Sequence, residues 1–473
     1  MRVTFAYLET LGTGPGDSTR LAADLPLGLA TVRAYAQRRP RLRGRLAAAN
    51  RTVPGRLAPR EAARRILAAS PDLAAFGVYL WNIEETTRLC RELKRQAPGT
   101  TVVVGGPEVP RAPADLRAFL RERPCVDIAV SGEGEEAFAE ALEGRLGGGR
   151  LGGIPGLGLR ERGSVTAAEP RPGVASLAGI PGPFAAGAAA VRPGARGMLC
   201  VEGSRGCPFA CSYCDFLSGT HKLRLFPLER VRAELDALWD AGFRGSVCFT
   251  DAMLNARKDR ALDLFRLMRR HDLEYQLELK PELFDDELIA ALGRVRRVFV
   301  SLGIQSVNPK ALKNMNRGLD LARAARNIRG LAARPNIRVR LELILGLPGD
   351  DHESFKRTLD WALPFAPRAD LTLYDLSVLP NAPLAAQRGR FGLRTDGRGV
   401  VLSSTGFSAA DMARSSRLFA AYRHLRGAPG CWPGFERVLR GGTARPSEAL
   451  EKIAQRLISA GRLPKGRIYG TEA

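Results

Sequence analysis

The chain has 473 residues, 45% of them hydrophobic and 26% charged, which excludes a disordered or fibrous protein and indicates two or three globular domains. Lys and Arg outnumber Asp and Glu by 72 to 49, a net charge of +23. The arginine runs at 38–45 and 60–65 contain no aromatic side chains that could stack on bases, so we do not expect a nucleic-acid partner. The sequence has no apolar stretch near the roughly 20 residues of a membrane span and no basic, apolar leader at its start, so we expect a cytoplasmic protein without membrane contact.

The first 146 residues alternate short apolar runs with stretches of helical periodicity. The predicted strands are 3–7, 45–49, 73–80, 100–104 and 126–130. The predicted helices are 27–38, 59–69, 83–96, 113–121 and 133–143. Five strands alternating with five helices predict an open parallel α/β sheet of the Rossmann-like kind. In such a sheet a ligand lies outside the carboxyl ends of the strands, where glycines let the backbone approach it.

A Gly-, Pro- and Ala-rich segment, 147–197, is predicted to be a linker with a small hairpin near 157–165. Between 198 and 379 a second α/β alternation follows. Its predicted strands are 198–202, 246–250, 274–279, 297–302, 337–344 and 371–376. Its predicted helices are 228–240, 258–270, 285–292, 309–315, 321–333 and 352–361. Six such units predict a partial version of the eightfold barrel, with functional groups at the carboxyl ends of the strands. The C-terminal region, 380–473, is predicted to be helical at 408–426 and 446–461.

Three cysteines crowd into one loop directly after the first strand of this second domain. Their spacing is Cys207-x3-Cys211-x2-Cys214. Three thiolates on a short loop can hold three corners of a cubane iron–sulfur cluster and leave one iron open. Zinc is the alternative metal, but structural zinc usually has four ligands, and no fourth Cys or His lies nearby before His221. The five remaining cysteines are expected to be small core residues.

This segment resembles the Cys-x3-Cys-x-aromatic-Cys signature of the radical S-adenosylmethionine (radical SAM) superfamily, with Tyr213 as the aromatic residue. Residues 301–308 (SLGIQSVN) and 343–350 (LILGLPGD) look like the fourth- and fifth-strand motifs of that superfamily, particularly of members with an N-terminal cobalamin-binding domain. The resemblance implies that the three cysteines ligate a [4Fe-4S] cluster. Its fourth iron would bind the amine and carboxylate of SAM, and reductive cleavage would give methionine and a 5′-deoxyadenosyl radical that abstracts a substrate hydrogen.

The resemblance also implies SAM contacts at the strand ends. A Gly-Gly-Glu motif follows the second strand in the superfamily, where this chain has Thr250-Asp251-Ala252-Met253, so Asp251 would serve the amine. The other expected SAM contacts are Tyr213, Phe216, Glu278, Gln305, Ser306 and Gly346. For the polar residues among them, a surface or capping role is the alternative.

The first domain contains no histidine, because none precedes His221. It therefore cannot supply the cobalt-ligating histidine of an Asp-x-His-x-x-Gly motif, which agrees with the radical SAM group that holds cobalamin without it. The expected corrin contacts are Leu27, Gly28, Trp81, Asn82, Gly105, Gly106, Pro107, Glu108, Gly132, Glu133 and Gly134. The alternative is a Rossmann-like domain that binds something else. A dinucleotide is disfavoured because the glycine-rich stretch 12–16 is misplaced and contains a proline.

The resemblance implies a cobalamin-dependent methyltransferase that acts on an unactivated carbon of a natural-product intermediate or a peptide, with methylcobalamin as the methyl donor. An external one-electron donor of the flavodoxin or ferredoxin type is expected, and a monomeric chain. Two alternatives remain open. One is rearrangement, ring contraction or cyclisation without methyl transfer. The other is a basic RNA-modifying iron–sulfur protein, which strong salt-dependent RNA affinity would favour.

Overall fold

A computed structural model describes residues 1–9, 22–192, 194–216, 222–441 and 445–468. The glycine-rich stretch 12–16 and His221 lie outside these residues. The chain forms two compact units. One comprises 1–206, 217–251 and 270–275, and the other comprises 207–216, 252–269 and 276–473.

The first sheet is doubly wound, as predicted. Its elements are β1 (Arg2–Glu9), α1 (Leu27–Arg38), β2 (Ala47–Pro54), α2 (Pro59–Leu67), β3 (Leu73–Gly77), α3 (Ile83–Gln96), β4 (Thr101–Gly105), α4 (Pro113–Glu122), β5 (Ile128–Val130), α5 (Gly134–Gly147), β6 (Leu157–Glu161) and β7 (Ser164–Ala167). The strand order is β2-β1-β3-β4-β5-β6-β7, and the first five strands are parallel. The order reverses between β1 and β3, the point at which sheets of this kind bind ligands.

Helices cover both faces of this sheet, which explains why its central strands are apolar throughout. All residues of β3 are buried, and so are the first four of β4. Parallel strands enclosed on both sides read as continuous apolar runs rather than as alternating patterns. Pro59 and Pro113 each begin a helix, where the missing N–H removes no helical hydrogen bond.

The hairpin predicted near 157–165 is present, and it belongs to the first sheet. Strand β6 pairs with β5 and with β7, both antiparallel. Leu157 and Leu159 are buried, and Gly158 leaves room for α4, because a Cβ there would lie 2.9 Å from the side chains of Leu116 and Leu120. This part of the predicted linker is therefore ordered structure that extends the sheet.

The second sheet has six strands in the order β8-β11-β12-β13-β14-β15. Its elements and the small strands beside it are β8 (Met198–Val201), β9 (Ser204–Arg205), β10 (Arg224–Leu225), α6 (Leu228–Asp240), β11 (Ser246–Phe249), α7 (Lys258–Met268), β12 (Glu274–Leu279), α8 (Asp286–Leu292), β13 (Arg297–Gln305), α9 (Pro309–Asn314), α10 (Leu321–Ala332), β14 (Ile337–Leu345), α11 (His352–Ala362) and β15 (Ala369–Asp375). Each strand neighbours the next one along the chain, with helices between them. This is the predicted partial (β/α)6 barrel.

Residues 380–468 follow the last strand of this sheet. They form β16 (Arg394–Thr395), β17 (Val401–Ser403), α12 (Ala409–Gly427), α13 (Trp432–Gly441) and α14 (Pro446–Ser459). The sequence analysis missed α13, in which the Trp432 ring packs against Phe435 of the same helix and Tyr422 of α12. No helix in the described part of the chain is both long and apolar enough to cross a membrane.

His352 connects three helices of the second unit. It begins α11, its Nδ1 lies 2.9 Å from Ser415 Oγ on α12, and its Nε2 lies 3.7 Å from Glu451 on α14. The side chain is 5% exposed. Burial and the nearby Arg414 guanidinium lower the pKa of His352, so the imidazole is neutral at physiological pH.

We expect acid to destabilise this helix contact. Since the pKa of His352 is lower in the folded than in the unfolded chain, the unfolded chain takes up the proton first as the pH falls through about 6.5. The free energy of unfolding should therefore decrease between pH 8 and pH 5.5, measured by urea denaturation. His352→Gln should show a smaller decrease than the wild type, and His424→Gln the wild-type decrease. An unchanged pH dependence in His352→Gln would contradict this assignment.

Candidate functional site

The cysteine loop has no regular secondary structure, so contacts from other segments determine its shape. Ser212 N donates to Met315 O at 3.0 Å, and Leu384 N donates to Ser212 O at 2.8 Å. Asn316 Nδ2 donates to Ala210 O at 3.0 Å. Two distant parts of the chain thus fix the backbone between the cysteines.

The three thiols are free and receive hydrogen bonds from N–H groups. Arg317 Nη1 lies 3.8 Å from Cys211 Sγ. Burial raises the pKa of Cys207 and raises that of Cys214 to about 11, while a backbone N–H two residues further along opposes the rise at each. Such donors stabilise thiolate sulfur, which is the form that binds iron.

The donor set, three thiols on one loop, suits a cubane cluster. In the described part of the chain, no three His, Cys, Asp or Glu side chains converge on a single ion. In a cubane each thiolate binds a different iron, so the three sulfurs of one loop do not need to meet at one point.

Arg317 is a candidate site residue that the sequence analysis missed. It follows α9, lies half-buried, and donates to Gly303 O as well as to Cys211. Burial would lower the pKa of Arg317, but Tyr213 and Cys211 raise it. Among 72 basic residues the sequence gives no signal for this one. Its cation beside the loop is suited to an anionic ligand.

Gln305 has the backbone strain that often marks a functional position. It ends β13 just after an irregularity in the pairing with β14, and its φ is +70°. Its Oε1 is buried and has no hydrogen-bond partner among the described residues. A strained residue with an unsatisfied acceptor at the carboxyl end of a barrel strand suits a bound donor. The expected SAM contact of Gln305 is compatible with this geometry.

The side chain of Ser306 already bonds to protein groups, so it does not fit the expected SAM contact. It is 1% exposed, and its hydroxyl contacts Asp350 at 3.3 Å and Thr358 at 3.4 Å and accepts from Asn308 N at 3.0 Å. These contacts hold the start of α9. Ser306 therefore has the capping role that was the alternative to a SAM contact. Gly346 has a φ of +98° and packs against Met412, so its backbone groups are what it can offer to a ligand.

Glu278 and Glu342 lie half-buried on β12 and β14, and Tyr374 is 36% exposed on β15. Tyr374 Oη donates to Glu342 Oε1 at 3.4 Å. Burial raises the pKa of Glu342, and burial together with the charges of Glu342 and Glu278 raises that of Tyr374 to about 12. The sequence analysis named only Glu278.

Of the expected contacts on the cysteine loop, Tyr213 is half-buried and Phe216 is 51% exposed.

Asp251 orders the approach to the cysteine loop. Two residues beyond β11 and 2% exposed, it accepts from Gly203 N at 2.7 Å and from Ser204 Oγ at 2.6 Å. The sequence analysis expected this carboxylate to bind the SAM amine. Both its oxygens instead accept from the segment that leads to Cys207, as expected for a residue that fixes loop geometry.

Aromatic side chains mark the ligand edge of the first sheet. The rings of Tyr79 and Trp81 stack with centroids 4.9 Å apart and planes at 7°. Trp81 and Leu80 are 59% and 44% exposed. Ser131 Oγ, buried at the end of β5, has no hydrogen-bond partner among the described residues. An exposed apolar surface and an unsatisfied polar atom at the carboxyl ends of two strands of one sheet suit a large, mostly apolar ring with polar substituents.

Two expected corrin contacts have side chains that bind protein groups instead. Asn82 is fully buried, accepts from Tyr79 N at 2.8 Å and donates to Gly77 O at 3.1 Å, which fixes the turn after β3. Glu133 forms ion pairs with Arg224 and Arg205. Although burial would raise the pKa of Glu133, these arginines lower it. The sequence could not show that these polar groups already have partners.

The remaining expected corrin contacts are backbone or surface positions. Gly106 has a φ of +130°, and a Cβ there would lie 2.4 Å from Val78 O, so only glycine fits. Gly132 has a φ of +73° and open space around it. The other positions at this edge are Leu27, Gly28, Gly105, Pro107, Glu108 and Gly134, of which Gly28 and Pro107 are exposed.

The cysteines outside the loop only partly behave as expected. Cys90 and Cys125 are buried core residues, as predicted. Cys200 and Cys248 are half-buried and face each other across β8 and β11, and Cys431 is exposed. The prediction of core positions was therefore wrong for these three, because strand and helix propensity does not determine which face a residue occupies.

Residues 201–362 match the radical SAM superfamily, and residues 25–142 match the B12-binding domain family. The chain is 30% identical over 353 residues to 2-(S-pantetheinyl)-carbapenam-3-carboxylate methyltransferase of Streptantibioticus cattleyicolor, and 30% identical over 356 residues to the cobalamin-dependent radical SAM methyltransferase TokK of Streptomyces tokunonensis. Each match covers 69% of this chain and 50% of the relative, so the chain spans about half the length of these curated relatives.

Among solved structures, the fold is similar to the cobalamin-dependent S-adenosylmethionine radical enzyme OxsB with aqua-cobalamin and SAM bound. The TM-score is 0.68 at 14% sequence identity, and the match covers 97% of this chain and 72% of that one. At this identity the likeness concerns the fold. It agrees with the two α/β regions predicted from the sequence.

We expect Asp251→Ala to loosen the segment before Cys207. The variant removes the acceptor of two buried hydrogen bonds, which costs about 1–3 kcal/mol of stability for each group left without one. The measurements are the urea midpoint and the iron bound after anaerobic reconstitution, and both should fall. Asp259→Ala, which alters a carboxylate 65% exposed on α7, is the matched control and should change neither. Normal iron binding in Asp251→Ala would show that the loop does not depend on this contact.

Proposed function

We propose that this chain, which belongs to the radical SAM superfamily and to those members that carry a B12-binding domain, is a cobalamin-dependent methyltransferase that acts on an unactivated carbon. The observation that carries the proposal is the geometry of the cysteine loop. Three thiols would hold three corners of a cubane and leave the fourth without a ligand from this loop, and an arginine cation lies beside one of them. When bound, the cluster supplies the electron for reductive SAM cleavage and cobalamin supplies the methyl-transfer chemistry.

Arg317 and Gln305 are the side chains proposed to position SAM. The Arg317 guanidinium is held by Gly303 O next to Cys211, so a carboxylate near the fourth iron would form a charge-assisted hydrogen bond with it. The unsatisfied Gln305 oxygen is available to a hydroxyl or amine of the same ligand. Both side chains belong to the same compact unit as the cysteine loop.

The carboxyl edge of the first sheet is proposed to hold the corrin ring. Trp81, which is exposed and stacks on Tyr79, would cover one face of the ring with apolar surface and exclude water from it. Ser131 Oγ would meet a polar substituent. Gly106 and Gly132 would allow the backbone to approach closely.

For the substrate we propose a small natural-product intermediate or a peptide. The relatives at 30% identity include a carbapenam methyltransferase, and this supports a small-molecule substrate. The electron is proposed to come from an external flavodoxin- or ferredoxin-type donor in a reducing cytoplasm, and the chain is proposed to act as a monomer.

The proposal is tested with SAM itself, so that the substrate need not be known. Full-length protein is reconstituted anaerobically with iron, sulfide and cobalamin, reduced, and incubated with SAM labelled in its methyl group. We expect 5′-deoxyadenosine, S-adenosylhomocysteine and label in the cobalamin fraction, all quantified by mass spectrometry. The Cys207→Ala/Cys211→Ala/Cys214→Ala variant should form no 5′-deoxyadenosine. Formation of 5′-deoxyadenosine without S-adenosylhomocysteine would support the alternative without methyl transfer, and the absence of both products would refute radical SAM chemistry.

Replacement of Arg317 tests the proposed carboxylate contact. Since a hydrogen bond to a charged group contributes about 1.5–3 kcal/mol, Arg317→Met should weaken SAM binding by about 10- to 100-fold in equilibrium dialysis. Arg317→Lys should recover part of the affinity, and Arg323→Met, an exposed arginine on α10, should bind SAM normally. Iron content is determined for each variant. Unchanged SAM affinity in Arg317→Met with a full complement of iron would exclude the contact.

A further inference from the structure

Lys280 is a buried lysine close to the cysteine loop. It follows β12 and is 5% exposed. Its backbone is fixed by Asn255, which accepts from Lys280 N at 3.0 Å and donates to Lys280 O at 2.9 Å. Its Nζ donates to Gly318 O at 3.0 Å. A lysine held this firmly in the interior carries an energetic cost that calls for a function or a partner.

The lysine contacts the cysteine loop through an aromatic ring. Its Nζ lies 4.3 Å from the centroid of Phe209, the residue midway between Cys207 and Cys211. This is a cation–π contact at short range. The positive charge is thus close to the loop, and it is shielded from water by the same packing that buries it.

The partner of this charge is Glu282, two residues further along. Its Oε1 lies 2.5 Å from Lys280 Nζ, and the residue is 8% exposed. The Glu282 carboxylate also acts on Arg317, which contacts Cys211. One positive and one negative charge, both poorly screened, therefore lie within the structure that supports the cysteine loop.

We infer that the Lys280–Glu282 ion pair sets the reduction potential of the iron–sulfur cluster, so that both residues are positioning residues for the proposed electron transfer. The inference rests on the cluster proposed above. A one-electron reduction adds one negative charge to the cluster. A fixed positive charge nearby favours the reduced state and a fixed negative charge disfavours it, most strongly where water is excluded.

The two members of the pair should therefore have opposite effects. Lys280→Met removes the positive charge and leaves Glu282, so the cluster becomes harder to reduce. Glu282→Gln removes the negative charge and leaves Lys280, so the cluster becomes easier to reduce. The double variant removes both charges and should return towards the wild type. A purely structural role would shift the potential in one direction or leave it unchanged.

The experiment is a redox titration of the reconstituted full-length protein, with the wild type and all variants compared at the same pH. The reduced cluster is followed by electron paramagnetic resonance. We expect about a tenfold change in the ratio of reduced to oxidised cluster at a fixed potential, about 59 mV, downward for Lys280→Met and upward for Glu282→Gln.

Two controls separate charge from folding. Lys280→Arg keeps the charge and should keep the wild-type potential. Lys258→Met removes an exposed lysine that pairs with Asp285 at 2.6 Å, and solvent screening should leave the potential unchanged. Shifts of the same sign in Lys280→Met and Glu282→Gln, or none in either with normal iron content, would overturn the inference while leaving the proposed function intact. Wild-type protein that assembles no cluster would overturn both.

Discussion

The candidate chemistry depends on a loop that must hold three thiols in place without any regular secondary structure of its own. The backbone of that loop is fixed by Met315, Asn316 and Leu384, which bond to Ser212 and Ala210 from far along the chain. Such contacts form only when the second unit is folded. The geometry of the thiols is therefore a property of the folded unit and not of the cysteine motif alone, and the spacing of the cysteines is necessary but does not create the site.

The sequence was sufficient to predict the layout of strands and helices. Helices α1, α3 and α6 and strand β12 begin and end where hydrophobic periodicity placed them. Apolar runs and helix caps depend on residues that are close in the chain, so they can be recognised in the sequence. The cysteine spacing likewise indicated the cluster loop, because thiolates in that pattern have few other uses.

Partners far apart in the chain were not predictable. Asp251, Ser306, Asn82 and Glu133 were expected to meet cofactors because they follow strands, but the side chain of each binds neighbouring protein groups. Arg317 shows the converse, since nothing local distinguishes it from the other arginines. A sequence shows which groups are polar and where strands end. Which of those groups are already satisfied is decided by tertiary packing.

The hairpin that adds β6 and β7 to the first sheet also determines which strand lies at one edge, where another copy of this chain could pair. A sheet that ended at β5 would present an apolar edge whose backbone groups could template a strand from another molecule. The outermost strand on this side of the sheet is instead the four-residue β7, whose exposed positions are Ser164 and Thr166. A short, polar border of this kind disfavours pairing with a strand of another copy.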